Sequence, residues 1–281
     1  IQAGGTYIDC TFGRGGHSKK ILAKLGAKGR LFAVDRDLAA LAVGQSITDA
    51  RFYIEHLHFS EVNQLATKHK LTNVDGILLV LGISSPQIDE GERGFSFRFD
   101  APLDMRMDNS RGQTAADWLV AIDEADLADV LYQYGEERHS RRIAKAIKLA
   151  GRLETTGQLA EIVKVAHPKW EKHKHPATRS FQAIRIAINH ELDDIAVFLP
   201  QSLTALKPEG RLAVISFHSL EDRIVKQFIQ QESSGAEVNG GWGIPREKTL
   251  KKVARVAPSD AEVQHNPRAR SAWLRVAERQ E

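Results

Sequence analysis

The first 85 residues alternate between two grammars, and this alternation constrains the fold more than any other feature of the chain. Thr6-Tyr-Ile-Asp-Cys-Thr-Phe12 is β-branched and aromatic and predicts a strand. His17 to Leu25 carries Ile21, Leu22 and Leu25 at helical spacing. Arg30-Leu-Phe-Ala-Val34, Arg51-Phe-Tyr-Ile54 and Val74 to Leu81 read as further strands. Between them lie helical faces at Leu38 to Val43 and at Phe59, Val62, Leu65 and Ala66. Val74 to Leu81 is almost wholly apolar, as suits a strand covered on both faces. Strands that alternate with helices pair in parallel, so the expected fold is α/β with a doubly wound sheet.

The pattern then breaks. Residues 86–112 are rich in Gly, Asp, Arg and Phe and read as a long loop, a length usually tied to function or disorder. Only helical signals follow: Ala115–Ile122, Ala125–Tyr132, Arg141–Ala150 and Thr156–Ala166. Strand grammar returns at Arg211–Phe217, followed by a helix over Glu221–Ile229 and a closing strand at Ala272–Val276. Residues 232–265 are polar with little periodicity. The simplest division is an α/β domain over 1–112 and 181–281, interrupted by a helical domain at 113–180.

Composition removes several classes of protein. With 42% hydrophobic and 27% charged residues, the 281-residue chain is too apolar for disorder. A single cysteine, Cys10, excludes an internal disulfide framework and a Cys-rich zinc site. The longest apolar run, Ile77-Leu-Leu-Val-Leu81, is far short of the roughly 18–20 residues of a membrane span. No signal peptide is visible, and the chain starts at Ile1 rather than Met. A soluble cytoplasmic protein with no membrane partner is expected. The net charge of +3 identifies no partner by itself.

After the first strand comes Asp9-Cys-Thr-Phe-Gly13-Arg-Gly15-Gly16-His17-Ser18. A glycine-rich turn between strand and helix lets backbone N–H groups approach a ligand without obstruction by Cβ. The dinucleotide fingerprint G-x-G-x-x-G is met by Gly13 and Gly15, but Ser18 stands where the third glycine belongs. Asp35 ends the second strand, 20 residues after Gly15, where a carboxylate can take two ribose hydroxyls. S-adenosylmethionine-dependent methyltransferases share this layout. A plain glycine turn beside a surface aspartate is the bland alternative. His17 suits a ligand contact or a helix start, and Phe59 suits adenine stacking or core filling.

The fourth strand runs into Gly82-Ile-Ser-Ser-Pro-Gln87, at the strand end where Rossmann-like enzymes place their chemistry. The loop beyond combines Phe95, Phe97 and Phe99 with Arg93, Arg98 and Arg106, which suits base stacking and phosphate binding or a lid packed by its own aromatics. A basic run, Lys169-Trp-Glu-Lys-His-Lys-His175, followed by Arg179 and Arg185, suits RNA or a solvated face.

These segments closely resemble the RsmH/MraW family: Thr11-Phe-Gly-Arg-Gly-Gly-His17, Gly82-Ile-Ser-Ser-Pro-Gln87, Glu92-Arg-Gly-Phe-Ser-Phe97, Pro102-Leu-Asp-Met-Arg-Met-Asp108, Tyr134-Gly-Glu-Glu-Arg138, His175-Pro-Ala-Thr-Arg179, Phe181-Gln-Ala-Ile-Arg185, Ile215-Ser-Phe-His-Ser-Leu-Glu-Asp-Arg-Ile-Val-Lys226 and Asn266-Pro-Arg-Ala-Arg-Ser271. The resemblance runs from about Gly5 to Glu278. It implies a Rossmann-like methyltransferase fold with a helical insertion, to which the basic run assigns RNA recognition. The implied reaction moves a methyl group from S-adenosylmethionine to the exocyclic 4-amino group of a cytidine in the decoding centre of 16S ribosomal RNA. The implied partner is that RNA in the small ribosomal subunit, with a homo-oligomer left open.

The resemblance maps cofactor contacts onto Gly15, Gly16, His17, Asp35, Phe59 and Gln87. The family also has an aspartate ending the fourth strand, where this chain has Val80. Ser84, Ser85 and Asp104 are candidate acceptors for the target amine, and His218 a candidate proton relay. Ser84 and Ser85 equally suit turn caps, and His218 a helix start. No metal is called for. Two other functions stay open: an NAD-dependent dehydrogenase, disfavoured by Ser18 and the Ser-Ser-Pro-Gln motif, and a non-catalytic RNA-binding or assembly factor, kept open by Val80.

Overall fold

The computed structural model describes residues 1–168, 175–234 and 247–281. Lys169 to Lys174 of the basic run lie outside the described residues. The chain forms two compact units, one from Ile1–Gly82 with Leu192–Glu281 and one from Ile83–Glu191.

The first unit is built on β1 (Thr6–Asp9), α1 (Gly16–Leu22), β2 (Arg30–Asp35), α2 (Leu38–Gln45), β3 (Phe52–His56), α3 (Val62–His69) and β4 (Val74–Val80). Among the described residues, these strands join three later ones in a seven-stranded sheet of order β3-β2-β1-β4-β5-β7-β6. Neighbours from β3 to β5 pair in parallel, while β7 runs antiparallel to both β5 and β6. The carboxyl ends of β1, β2 and β4 therefore share one rim with that of β6.

Successive strand residues point to opposite faces, and each face has its own core. Ile8, Val34 and Leu79 pack with Val62, Leu65, Phe198 and Val225. Tyr7, Leu31, Ala33 and Phe52 pack with Leu22, Leu25 and Ala40. Helices thus cover both faces, which is the Rossmann-like arrangement that the alternating sequence implied.

The second unit contains α4 (Ser85–Asp89), α5 (Ala115–Ala121), α6 (Glu124–Gly135), α7 (Ser140–Ala150), α8 (Thr156–Ala166) and α9 (Ala177–Asn189). Chain order then continues with α10 (Glu191–Ala205), β5 (Leu206–Ser216), α11 (Ser219–Ser234), β6 (Leu250–Val256), α12 (Asp260–His265) and β7 (Trp273–Arg279). Several stretches differ from the sequence reading, which named neither α9 nor α10. Ser85–Asp89 and a 3-10 turn at Gly91–Arg93 occupy part of the expected loop. The polar stretch 232–265 contains β6 and α12. The unit boundaries fall at Gly82/Ile83 and Glu191/Leu192, not at 112/113 and 180/181.

The boundary shift has a physical cause. Phe95, Leu103, Met105 and Met107 of the loop are buried in one cluster with Leu127, Leu131, Ile143, Ile147 and Ile184 of the helices. Gly94 turns the loop at φ 73°, where a Cβ would strike the Asp104 nitrogen and the Pro102 oxygen at 2.6 Å. Asn189 then clamps it: Met107 N–H donates to Asn189 Oδ1 at 2.8 Å, and Asn189 Nδ2 donates to the Met105 carbonyl at 2.8 Å. Asn189→Ala leaves two buried backbone groups without these partners, at about 1–3 kcal/mol each. Urea unfolding is expected to show a loss of about 2–6 kcal/mol, and a loss under about 1 kcal/mol would mean that the apolar side chains alone hold the loop.

Candidate active site

In the α/β unit, two aspartates organise the glycine turn. Asp9 ends β1 and is fully buried. Ser18 Oγ donates to its Oδ2 at 2.7 Å, and Thr11 N–H to its Oδ1 at 3.2 Å. Burial pushes the Asp9 carboxyl up, against these two hydrogen bonds. Ser18 therefore replaces the third fingerprint glycine with a hydroxyl whose acceptor lies in the preceding strand. Asp35 ends β2 and accepts from Gly13 N–H at 2.7 Å and Asp37 N–H at 2.8 Å. Burial pushes its carboxyl up to about 6, against the same two N–H groups.

The turn is shaped for close approach. Gly13 and Gly15 have φ of 58° and 77°, and a Cβ on Gly15 would meet the Phe12 ring at 2.8 Å. A Cβ on Gly13 or Gly16 would meet nothing within 4 Å. Open space thus lies beside the backbone where it carries no side chain, next to a carboxylate able to bind hydroxyls. A nucleoside-type cofactor fits this cradle.

The other expected residues of this unit are placed as follows. His17 is exposed in the first turn of α1. Phe59 lies in a 3-10 turn after β3, half-buried, edge-on to Phe198 with ring centroids 5.7 Å apart. It thus contributes to the core and leaves part of its ring open. Val80 is the last residue of β4 and half-buried, and its N–H donates to Thr11 Oγ1 at 2.7 Å. His218 precedes α11, with Nε2 3.0 Å from Glu221 Oε1. Glu221 is fully buried and accepts from the N–H groups of Phe217 and His218. Cys10 is buried and its thiol is pushed well up by desolvation, so it is no nucleophile.

In the helical unit, Ser84 and Gln87 form a reciprocal cap at the start of α4. Gln87 N–H donates to Ser84 Oγ at 3.4 Å, and Ser84 N–H donates to Gln87 Oε1 at 2.9 Å. Ser85 is exposed. Asp104 takes a two-pronged hydrogen bond from Arg106, at 2.8 and 2.7 Å. Arg93 donates to the Arg106 and Met107 carbonyls and so anchors the loop. Phe97 lies against His175 and edge-on to Phe181.

The sequence reading named neither the Asp9–Ser18 pair, nor Thr11 as the support of Val80, nor Glu221. For Asp9 the available signal was a carboxylate inside an otherwise apolar strand. For Glu221 it was an acid three residues after a helix-start His.

A profile of the MraW methylase family matches residues 1–280. The chain is 62% identical over 283 residues to a protein of Acinetobacter baumannii named Ribosomal RNA small subunit methyltransferase H, covering 99% of this chain and 92% of that one. Proteins of the same name from Acinetobacter baylyi and Methylobacillus flagellatus are 61% and 56% identical, covering 98% and 99% of this chain and 92% and 90% of theirs.

Proposed function

The chain belongs to the MraW methylase family and is an S-adenosylmethionine-dependent methyltransferase; from that premise we propose that it methylates the exocyclic 4-amino group of a cytidine in the decoding centre of 16S ribosomal RNA. The observation that carries the reading is the Gly13–Gly16 cradle closed by Asp35 at the carboxyl rim of the sheet. Relatives matched over 90–92% of their own length are named for the small-subunit RNA.

When bound, S-adenosylmethionine supplies an electrophilic methyl group on a sulfonium centre. Asp35 holds the ribose hydroxyls, the backbone of Gly15, Gly16 and His17 lines the amino-acid side, and Phe59 presents ring surface to the adenine. Gln87, the remaining cofactor contact that the resemblance implies, is buried at the start of α4. A cytosine amine is a weak nucleophile, because its lone pair is delocalised into the ring. The protein's task is therefore to hold the N–H bonds and align the nitrogen, so that proximity and orientation dominate. Ser85, exposed, and Ser84, already a cap, are the acceptors for those N–H bonds. Asp104 serves as a weaker one, since Arg106 already balances its charge. His218 beside Glu221 takes the proton released after transfer. The target base must be single-stranded or flipped out of its helix to be reached. The helical unit, with the basic run at 169–175, is the RNA-recognition part.

One observation favours a second reading. Val80 puts a side chain without an acceptor at the end of β4, which suits an RNA-binding assembly factor with little or no turnover. Transfer of labelled methyl from S-adenosylmethionine to small ribosomal subunits decides between them. Label on one cytidine amine supports the enzyme. Bound cofactor and bound RNA without label support the factor.

A further inference from the structure

We propose that the carboxyl rim of the β6–β7 hairpin, centred on Arg255, Trp273 and Arg270, is a second RNA contact, a shelf that binds phosphates of the strand flanking the target nucleotide. The proposal rests on the ribosomal RNA reading above. It starts from charge. Residues 247–281 hold eight Lys and Arg against five Asp and Glu, an excess of three that equals the net charge of the whole chain.

Several of those charges are already committed. Arg275 makes a two-pronged contact with Asp222 at 2.7 and 2.8 Å. Glu278 takes Arg211 at 3.1 Å, Lys252 reaches Gln230, and Arg279 reaches the Leu206 carbonyl. Arg255 is held differently, although its charge also acts on the Asp222 carboxylate that Arg275 binds. Its guanidinium lies 3.6 Å from the centre of the Trp273 ring, and it stands directly opposite Arg275 in the strand register. Like charges directly opposite on a sheet are destabilising. Stacking on an indole holds the guanidinium in place while leaving its planar edge of donors for an anion.

The turn before β7 adds to this edge. Asn266-Pro-Arg-Ala-Arg-Ser271 includes a 3-10 turn over Pro267–Ser271, with Ala269 buried and Arg268 and Arg270 exposed on either side of it. One small residue anchors the turn, and two arginines face out.

A simpler role would be protection of an edge strand against aggregation. Lys251 and Lys252, exposed nearer the other end of β6, already do this. Protection does not require an arginine opposite an arginine.

Position selects the ligand. Val80, Ile215, Leu274 and Val256 are successive register partners across β4, β5, β7 and β6. Arg255 and Trp273 therefore sit on the rim that carries Gly13 and Asp35, Trp273 about two and Arg255 about three strand spacings (~14 Å) from the end of β4. An RNA strand with its target base before β4 needs only a few nucleotides to reach them. Arginine on an aromatic plane offers such a strand both phosphate donors and a stacking surface.

The test removes charge from each rim in turn. Arg255→Gln with Arg270→Gln is compared with Lys24→Gln and Lys28→Gln, exposed residues that precede β2 at the opposite rim. Binding of a labelled single-stranded RNA is followed across salt concentrations, with adenosylmethionine binding by calorimetry. The arginine pair is expected to weaken RNA binding roughly tenfold and to lower the salt slope by about 1.4, with cofactor affinity unchanged. The lysine pair is expected to change neither. Equal loss from both pairs would reduce the effect to net charge and overturn the shelf. So would an arginine pair that binds RNA like the parent, which would leave β6 as an edge for docking a protein strand. Methyl transfer to small ribosomal subunits is measured alongside. If the parent transfers no methyl while the arginine pair still loses RNA, the catalytic reading fails and the shelf stands. If the parent transfers methyl and the arginine pair keeps its RNA affinity, the shelf fails alone.

Discussion

Asp35→Ala is expected to weaken S-adenosylmethionine binding by about tenfold to a hundredfold, because hydrogen bonds to a charged group are worth roughly 1.5–3 kcal/mol. Asp35 also holds the Gly13 and Asp37 N–H groups, so Asp35→Asn is the cleaner companion, keeping an acceptor oxygen and removing the charge. Acid provides an independent handle. The Asp35 carboxyl is pushed up to about 6 by burial, so the charged acceptor is lost as pH falls through that value. Cofactor affinity in the parent is expected to drop below pH 6, and in Asp35→Asn to stay flat. Stability carries the opposite sign. A carboxyl raised from 3.8 to about 6 costs the folded state stability above pH 6, and that cost is relieved as pH falls from about 6 towards 3.8. Over that window Asp35 itself favours the folded form while the ligand is released. Calorimetry from pH 7 to 5 on both chains checks this. Wild-type affinity and the parent's pH profile in a folded Asp35→Asn variant would remove the ribose assignment.

Val80→Asp is expected to raise methyl transfer or tighten cofactor binding by about 1–3 kcal/mol, the worth of one restored charged hydrogen bond. Valine closely matches aspartate in width but has no acceptor. The backbone at this point is fixed independently of the side chain, by pairing with Ile215 and by the Thr11 hydroxyl on the Val80 N–H. An introduced carboxylate should therefore sit at the rim without moving the strand. β-branched valine is the better strand residue, so the substitution is also expected to lower stability modestly. RNA affinity should change little, because no phosphate-binding charge is altered. Turnover and cofactor affinity both within error of the parent, with matched circular dichroism, would show that this position has no acceptor role.

The strands from β1 to β4 were legible because each is a short β-branched or apolar run bounded by turn residues. β6 was not. Six of its seven residues are exposed, so its identity comes from pairing with β7 and leaves no apolar period in the sequence. The unit boundaries were illegible for a related reason. Leu103, Met105 and Met107 look like isolated apolar residues in a polar loop, and only the helices far along the chain reveal them as core. In the site, Gly13, Gly15 and Asp35 could be read because glycine freedom and a strand-end acid have local signatures. The commitments of Ser84 to Gln87 and of Asp104 to Arg106 involve neighbours two or three residues away, yet spacing alone does not say whether a side chain faces its neighbour or a ligand.

The interruption of the sheet also dictates an order of events during synthesis. A ribosome delivers β1 to β4 first, as a half-sheet whose outer strand is Val74–Val80. Its missing neighbour, β5, pairs Ile77 with Leu212 and Leu79 with Val214, and it emerges only after residues 83–191 have been made. For all that time an apolar strand edge waits without a partner, the situation in which nascent chains aggregate. The contiguous helical unit meanwhile has all its residues and can close its own core. Stalled nascent chains released just past residue 191 are expected to resist protease across 83–191 and to be cut within 1–82. Equal resistance of both segments would mean that the half-sheet closes without β5. The insertion thus makes the α/β unit the last part of this protein to become a folded object, and the one most in need of a chaperone.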